Sequence, residues 1–209
     1  EPSAPCTVVL SKAQIHAEPN LCKTVGRLNV NCELRLVDDE GNDVPDGVAG
    51  EALARSPMVF KGYIKNEELN TKVLVDGWFH TEDMMMRDTN GFYYLVDRKK
   101  DMIKTGGENV FAQEVEDILR EHPSIFDCAI IGVEDPIFEE AVAAAIVLES
   151  GAALSDEELI RYCKERLPSY KKPRYVAFVE DLPHNITGKI QKSVLRDQAK
   201  TLFRHIRGL

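Results

Sequence analysis

The chain is 209 residues long, is 44% hydrophobic and carries a formal charge of -9, with a pI near 5.1. That apolar share fills one large core or two modest ones and excludes a disordered chain. The acidity excludes a nucleic-acid-binding surface, because gripping phosphate backbones takes clustered Lys and Arg, although a local basic pocket for a small anion remains open.

Cys6, Cys22, Cys32, Cys128 and Cys163 are an odd set with no CxxC pair, so neither a disulfide framework nor a zinc site is indicated and a reducing cytoplasm fits. The longest apolar run, residues 141–148, is far short of the ~20 residues a bilayer span needs. No membrane span or signal peptide is expected. The start "EPSAPCTVVL" lacks an initiator Met and reads as a piece of something larger.

From about Glu33 to Val96 the pattern is short and alternating: "ELRLV", the turn "DDEGND", then "GEALA" and "FYYLV". Such runs between Gly, Asn and Asp clusters predict strands of an antiparallel sheet or small barrel. Asn90-Gly91 is the strongest hairpin signal, since both residues tolerate positive φ. After Lys100 helix and strand alternate. "FAQEVEDILREH" places Val115, Ile118 and Leu119 on one helical face, with Pro123 ending the segment. "CAIIGV" reads as a strand; residues 141–148 are ambiguous, and their shortness favours a strand. "SDEELIRYCKERL" opens with Ser155 and Glu158 in capping-box spacing and predicts a helix up to Pro168. "RYVAFVE" predicts a strand and "KSVLRDQAKTLFRHI" a last amphipathic helix. The expected fold class is α+β: a β-rich, barrel-like subdomain followed by a small mobile α+β lid domain.

Three stretches carry chemistry. In "DGWFHTEDMMM", Asp83 reads as the end of a strand facing a loop, where a carboxylate can accept hydrogen bonds from two adjacent hydroxyls and so grip a ribose; a solvated turn acid is the other reading. In "DRKKDMIKTGGENV", four cations precede Gly106-Gly107. Two glycines before a helix let a backbone approach a ligand, or simply make a turn. Gly beside solvated charge also suits a hinge. In "LPHNITGKIQKSVLR", a loop between Pro183 and Gly188 delivers Lys189, which can reach a phosphate or carboxylate as a mobile point charge or stand solvated.

In this order and at these separations, the three stretches resemble the carboxyl-terminal portion of the adenylate-forming (acyl-CoA synthetase, AMP-binding) enzyme superfamily, over roughly Gly26 to Arg196. "VAGEALARSPMVFKGYIKNEELNTKVLVDGWFHTED" is similar to the family's run from its GE strand to its TGD motif. The resemblance implies that residues 1–99 end the large AMP-binding domain and residues 100–209 form the lid. It implies Asp83 on the ribose hydroxyls of ATP and acyl-AMP with Arg98 assisting, Lys100 as hinge, and Gly106, Gly107, Glu108 and Asn109 along the pantetheine tunnel. It further implies Lys189 bridging substrate carboxylate and α-phosphate, Lys172 and Arg174 near the nucleotide end of CoA, and Glu1 as the magnesium-holding acid of the family's YGxTE segment. ATP, Mg2+ and CoA are the implied cofactors, with a carboxylic acid as substrate and the preceding large domain as partner.

Two positions depart from the family. Glu82 stands for the glycine of TGD and Glu139 for that of DPxxGE, which is costly if φ is positive there; Glu82 also adds charge near the presumed phosphate path. The implied activity is that of an acid–CoA ligase, the alternatives being an adenylation domain loading a carrier protein, an enzyme that oxidises the adenylate, and a catalytically incomplete lid module. The family's Ser/Thr/Gly/Lys-rich phosphate loop occurs nowhere in these residues, so the chain alone is expected to be inactive. The "VDRKKDMIKTGGENV" wording is similar to that of ligases for fatty or betaine-type acids.

Overall fold

The structure is a computed structural model, and it describes residues Thr7–His205, without the side chains of the last two. The chain divides between Lys100 and Asp101 into two compact units. The described residues are mixed α and β.

In the first unit β1 (Val8–Val9) pairs with β2 (Arg27–Leu28), and five further strands make an antiparallel sheet. These are β3 (Glu33–Val37), β4 (Gly50–Arg55), β5 (Leu74–Val75), β6 (Trp78–Arg87) and β7 (Tyr93–Arg98). The order is β3-β4-β6-β5, with β7 also on β6. The sheet is open, which corrects the barrel-like expectation. Strands two residues long, such as β5, cannot carry a ladder round to closure. The β6–β7 connection forms as predicted: Asp88 Oδ1 accepts from the N–H of Asn90 (2.9 Å) and Phe92 (2.8 Å), and Gly91 takes φ 80°. Two short helices went unread, α1 (Lys12–Ala17), closed by a Ser11–Gln14 capping box, and α2 (Glu67–Val73), capped by Asn66.

The second unit is built on β10 (Ile125–Asp135) and β11 (Glu139–Leu148), joined antiparallel. With them run β8 (Ile103–Thr105), β9 (Glu108–Val110), β12 (Tyr175–Phe178) and β13 (Arg204–His205). Helix α3 (Ala112–Arg120) and α4 (Asp156–Arg166) pack through Val115, Leu119, Leu159 and Cys163 with Ile130, Val142, Ala144 and Ile146. Ala129, Ile131, Ala143 and Ala145 meet Leu182 and Leu195 in a second cluster. The alternate residues of β11 thus enter different clusters, which is why residues 141–148 read as an unbroken apolar run: both faces of the strand are buried. The capping box of α4 is present.

The predicted last helix is two, α5 (Lys192–Asp197) and α6 (Ala199–Leu202), followed by β13. The break falls at Gln198 (φ -93°, ψ 0°), and the turn there brings Leu202 and Phe203 against the cluster around Leu195. Packing of two large apolar groups outweighs the continued helix that periodicity favoured.

Glu82 (φ 60°) and Glu139 (φ 66°) both sit in the left-handed region. A side chain costs about 1–2 kcal/mol there, partly offset by the greater unfolded-chain entropy of glycine. Glu139→Gly is therefore expected to stabilise the protein by roughly 0.5–1 kcal/mol, read as a rise in the urea midpoint at unchanged slope; a fall would contradict the strain. Among the described residues no helix is long and apolar enough to cross a membrane. Burial pushes the thiols of Cys128 and Cys163 up to about 12 and about 11, so both are packing groups rather than nucleophiles.

Candidate functional site

Asp83 does not end a strand. It lies inside β6 beside an irregularity, where the register with β4 shifts between Glu51 and Leu53. Glu82 supplies the positive φ. Thr81 Oγ1 donates to Ala52 O (2.8 Å) and accepts from the Asp83 N–H (3.1 Å). The bulge interrupts the pleat and re-aims the Asp83 carboxylate. Arg98, its register partner on β7, lies with Nε 2.8 Å from Asp83 Oδ1. A concavity of about 270 Å³ opens beside them, lined also by Tyr63, Leu69, Phe79, His80 and Glu82. A carboxylate anchored by one guanidinium, with an aromatic and apolar wall beside it, suits a sugar hydroxyl pair attached to a flat base.

Among the cations before the glycines, Arg98 meets Asp83 and Lys99 meets Glu51. Lys99 Nζ reaches Glu51 Oε2 (2.8 Å) and Asp39 Oδ1 (3.4 Å), and Glu51 is buried. Burial opposes the charge on Lys99, but its hydrogen bond to Glu51 and the fields of Glu51 and Asp39 outweigh it, so its pKa stands above the usual lysine value. Lys100 is exposed in the short turn Lys99–Asp101.

Gly106 (φ 58°) and Gly107 (φ 85°) do not lead into a helix. They are the two-residue turn of the β8–β9 hairpin, closed by the Thr105–Glu108 pair. Two consecutive positive φ angles define a primed turn, which explains the glycine pair. The Gly106 N–H donates to Phe138 O (3.0 Å), so it is not an outward donor. A Cβ on Gly106 would stand 3.1 Å from the Phe138 ring, whereas one on Gly107 would meet nothing within 4 Å. Glu108 and Asn109 are exposed on β9. Arg174 stacks its guanidinium 4.1 Å from the Phe138 ring centroid. Lys172 instead lies near Cys163 of α4, lowering that thiol against burial.

Lys189 sits on a pegged turn rather than a loose loop. Asn185 Oδ1 accepts from Thr187 N–H (3.0 Å), Thr187 Oγ1 (2.7 Å) and Lys189 N–H (2.9 Å). The Asn185 N–H donates to Lys189 O (2.9 Å). The sequence reading passed over Asn185, although an Asn two residues before a Thr-Gly pair is a turn signal with a known mechanism. It also passed over Glu51, whose burial no local pattern announces. Glu1, the magnesium candidate, lies outside the described residues. Among those residues no cluster of His, Cys, Asp or Glu is arranged to hold a metal ion.

Residues 3–64 match the family model of AMP-binding enzymes, and residues 114–189 that of the AMP-binding enzyme C-terminal domain. The chain belongs to the adenylate-forming superfamily and corresponds to its carboxyl-terminal portion. It is 40% identical over 177 residues to the crotonobetaine/carnitine–CoA ligase of Escherichia coli, covering 83% of this chain and 34% of that protein. Among solved structures it is similar to the o-succinylbenzoate CoA synthetase of Bacillus subtilis in complex with its acyl-adenylate intermediate. The TM-score is 0.81 and the identity 32%, over 96% of this chain and 39% of that one. It is also similar to the amide bond synthetase from Marinactinospora thermotolerans, with TM-score 0.80 and 36% identity over 91% of this chain and 39% of that one. The chain spans about a third of the length of the curated relatives it matches.

Proposed function

We propose that the chain is the carboxyl-terminal part of an ATP-dependent acid–CoA ligase, working with a preceding large domain in the cytoplasm. The observation that carries this reading is the Asp83–Arg98 pair, held 2.8 Å apart on a bulged strand at the lip of a sugar-sized concavity. Asp83 accepts from the ribose hydroxyls of ATP and then of acyl-AMP, and Arg98 holds the carboxylate in place. A carboxylate oxygen of the substrate attacks the α-phosphorus and the bond to pyrophosphate breaks. Lys189, on its Asn185-pegged turn, stabilises the charge gathering on the phosphoryl oxygens.

In the second half-reaction the thiolate of CoA attacks the acyl carbon and AMP leaves. The unit carrying Lys189 then turns on Lys100, withdrawing the ammonium and presenting the Gly106-Gly107 hairpin, with Glu108 and Asn109, to the pantetheine arm. Arg174, and separately Lys172, meet the phosphates at the nucleotide end. When bound, magnesium would supply neutralising charge for the pyrophosphate leaving group. With no phosphate loop in these residues, the chain by itself does not adenylate.

Acid-dependent pyrophosphate release and CoA-dependent thioester formation, measured on the intact enzyme over betaine-type, fatty, aromatic and dicarboxylic acids, test the reading. Betaine-type acids are the first choice because of the crotonobetaine/carnitine–CoA ligase likeness. Asp83→Ala is expected to raise the KM for ATP by about tenfold or more, the worth of a charged hydrogen-bond acceptor. An unchanged KM sinks the ribose assignment. The likeness to an amide bond synthetase favours a second reading in which an amine is the acceptor. Amide formed in place of thioester would select it.

A further inference from the structure

Both neighbours of Lys100 are tied down, each within its own unit. On one side Lys99 Nζ is held by Glu51 Oε2 at 2.8 Å. Glu51 is buried on β4, is the register partner of Met84 next to Asp83, and also lies 3.4 Å from Nδ1 of His80, which shares β6 with Asp83. The residue before the pivot is thus fastened to β4, the strand paired with the one that carries Asp83. On the other side Asp101 Oδ1 accepts from Arg196 Nη2 at 2.7 Å. Arg196 is on α5, the helix that follows the Lys189 turn.

Helix α5 is itself immobilised. Leu195 is buried in the core with Ile190 packed against the same cluster. Lys192 Nζ stands 2.8 Å from Glu116 Oε1. Glu116 is buried, and the same oxygen accepts from the Ile130 N–H (2.9 Å). The path from Asp101 to Lys189 therefore runs through one ion pair and one packed helix, with the Asn185 turn at its end.

We propose that Glu51 and Arg196 are positioning residues that clamp the two sides of the pivot, so that rotation falls on the torsions of Lys100 alone and reaches Lys189 without slack. The inference rests on the functional reading above, and it adds the parts that make a one-residue pivot precise. Without the Arg196 clamp, Asp101 and the residues after it share the torsion, and Lys189 arrives displaced. A displacement of about an ångström at a charge-stabilising group costs on the order of a hundredfold in rate at most.

The test measures both half-reactions in the intact enzyme for Arg196→Gln, Arg196→Lys, Asp101→Asn and Glu51→Gln, with Lys189→Ala as reference. Arg196→Gln and Asp101→Asn are expected to lower adenylate formation about tenfold, and Arg196→Lys, which keeps the charge, to stay within about threefold. Glu51→Gln is expected to lower thioester formation from supplied acyl-AMP about tenfold at an unchanged KM for ATP. If Arg196→Gln does not fold, as read by its thermal melt, the near-isosteric Asp101→Asn carries the same expectation. Adenylation within twofold of the parent in Asp101→Asn, or equal loss in Arg196→Lys and Arg196→Gln, overturns the clamp. If Lys189→Ala itself adenylates at the parent rate, the functional reading fails instead.

Discussion

Lys189→Ala is expected to lower adenylate formation by roughly 100- to 1000-fold, the cost of removing a placed charge-stabilising donor. Thioester formation from supplied acyl-AMP and CoA should change less than about threefold. The asymmetry follows from the position of the lysine. Its backbone is pinned by Asn185, so losing the amine removes one cation and leaves the turn, α5 and the β8–β9 hairpin in place. A lysine that only stabilised the fold would depress both steps together. Acyl-AMP accumulation and CoA-dependent turnover, measured separately, decide between these outcomes.

Lys100→Pro is expected to do the reverse, slowing thioester formation by about 100-fold while adenylate formation falls less than about tenfold. Proline holds φ near -65°, and a pivot with one torsion fixed cannot reach its second orientation if that orientation needs a different φ. The pairings of Lys99 and Asp101 with their own units leave neighbouring residues poorly able to absorb the change. Equal loss in both half-reactions would remove Lys100 from the role of hinge.

The Gly-Gly pair shows how local signals mislead about context. Its glycines were legible as a place of unusual backbone, and both φ values are positive. They turn a hairpin, with a three-residue strand before α3. A three-residue strand is too short for a period of two to register. Asp83 was legible as a candidate acid, but its placement within β6 depends on pairing with β4 and β7. The left-handed residue at the bulge is a glutamate, so composition hid the turn.

By itself the amino-acid sequence determined the α+β class, the strand of residues 141–148, the capped helix after Ser155 and the order of the chemistry-bearing stretches. Those features are written in near neighbours: apolar periodicity, capping spacing and turn residues act over a few positions. Only the tertiary structure decided that the first sheet stays open, that the last helix breaks at Gln198, and that Lys99 finds Glu51 while Asp101 finds Arg196. These outcomes join residues about 50 and 95 positions apart, and a charge pair at such separation leaves no local pattern, because what brings it together is the burial of the strands and helices between.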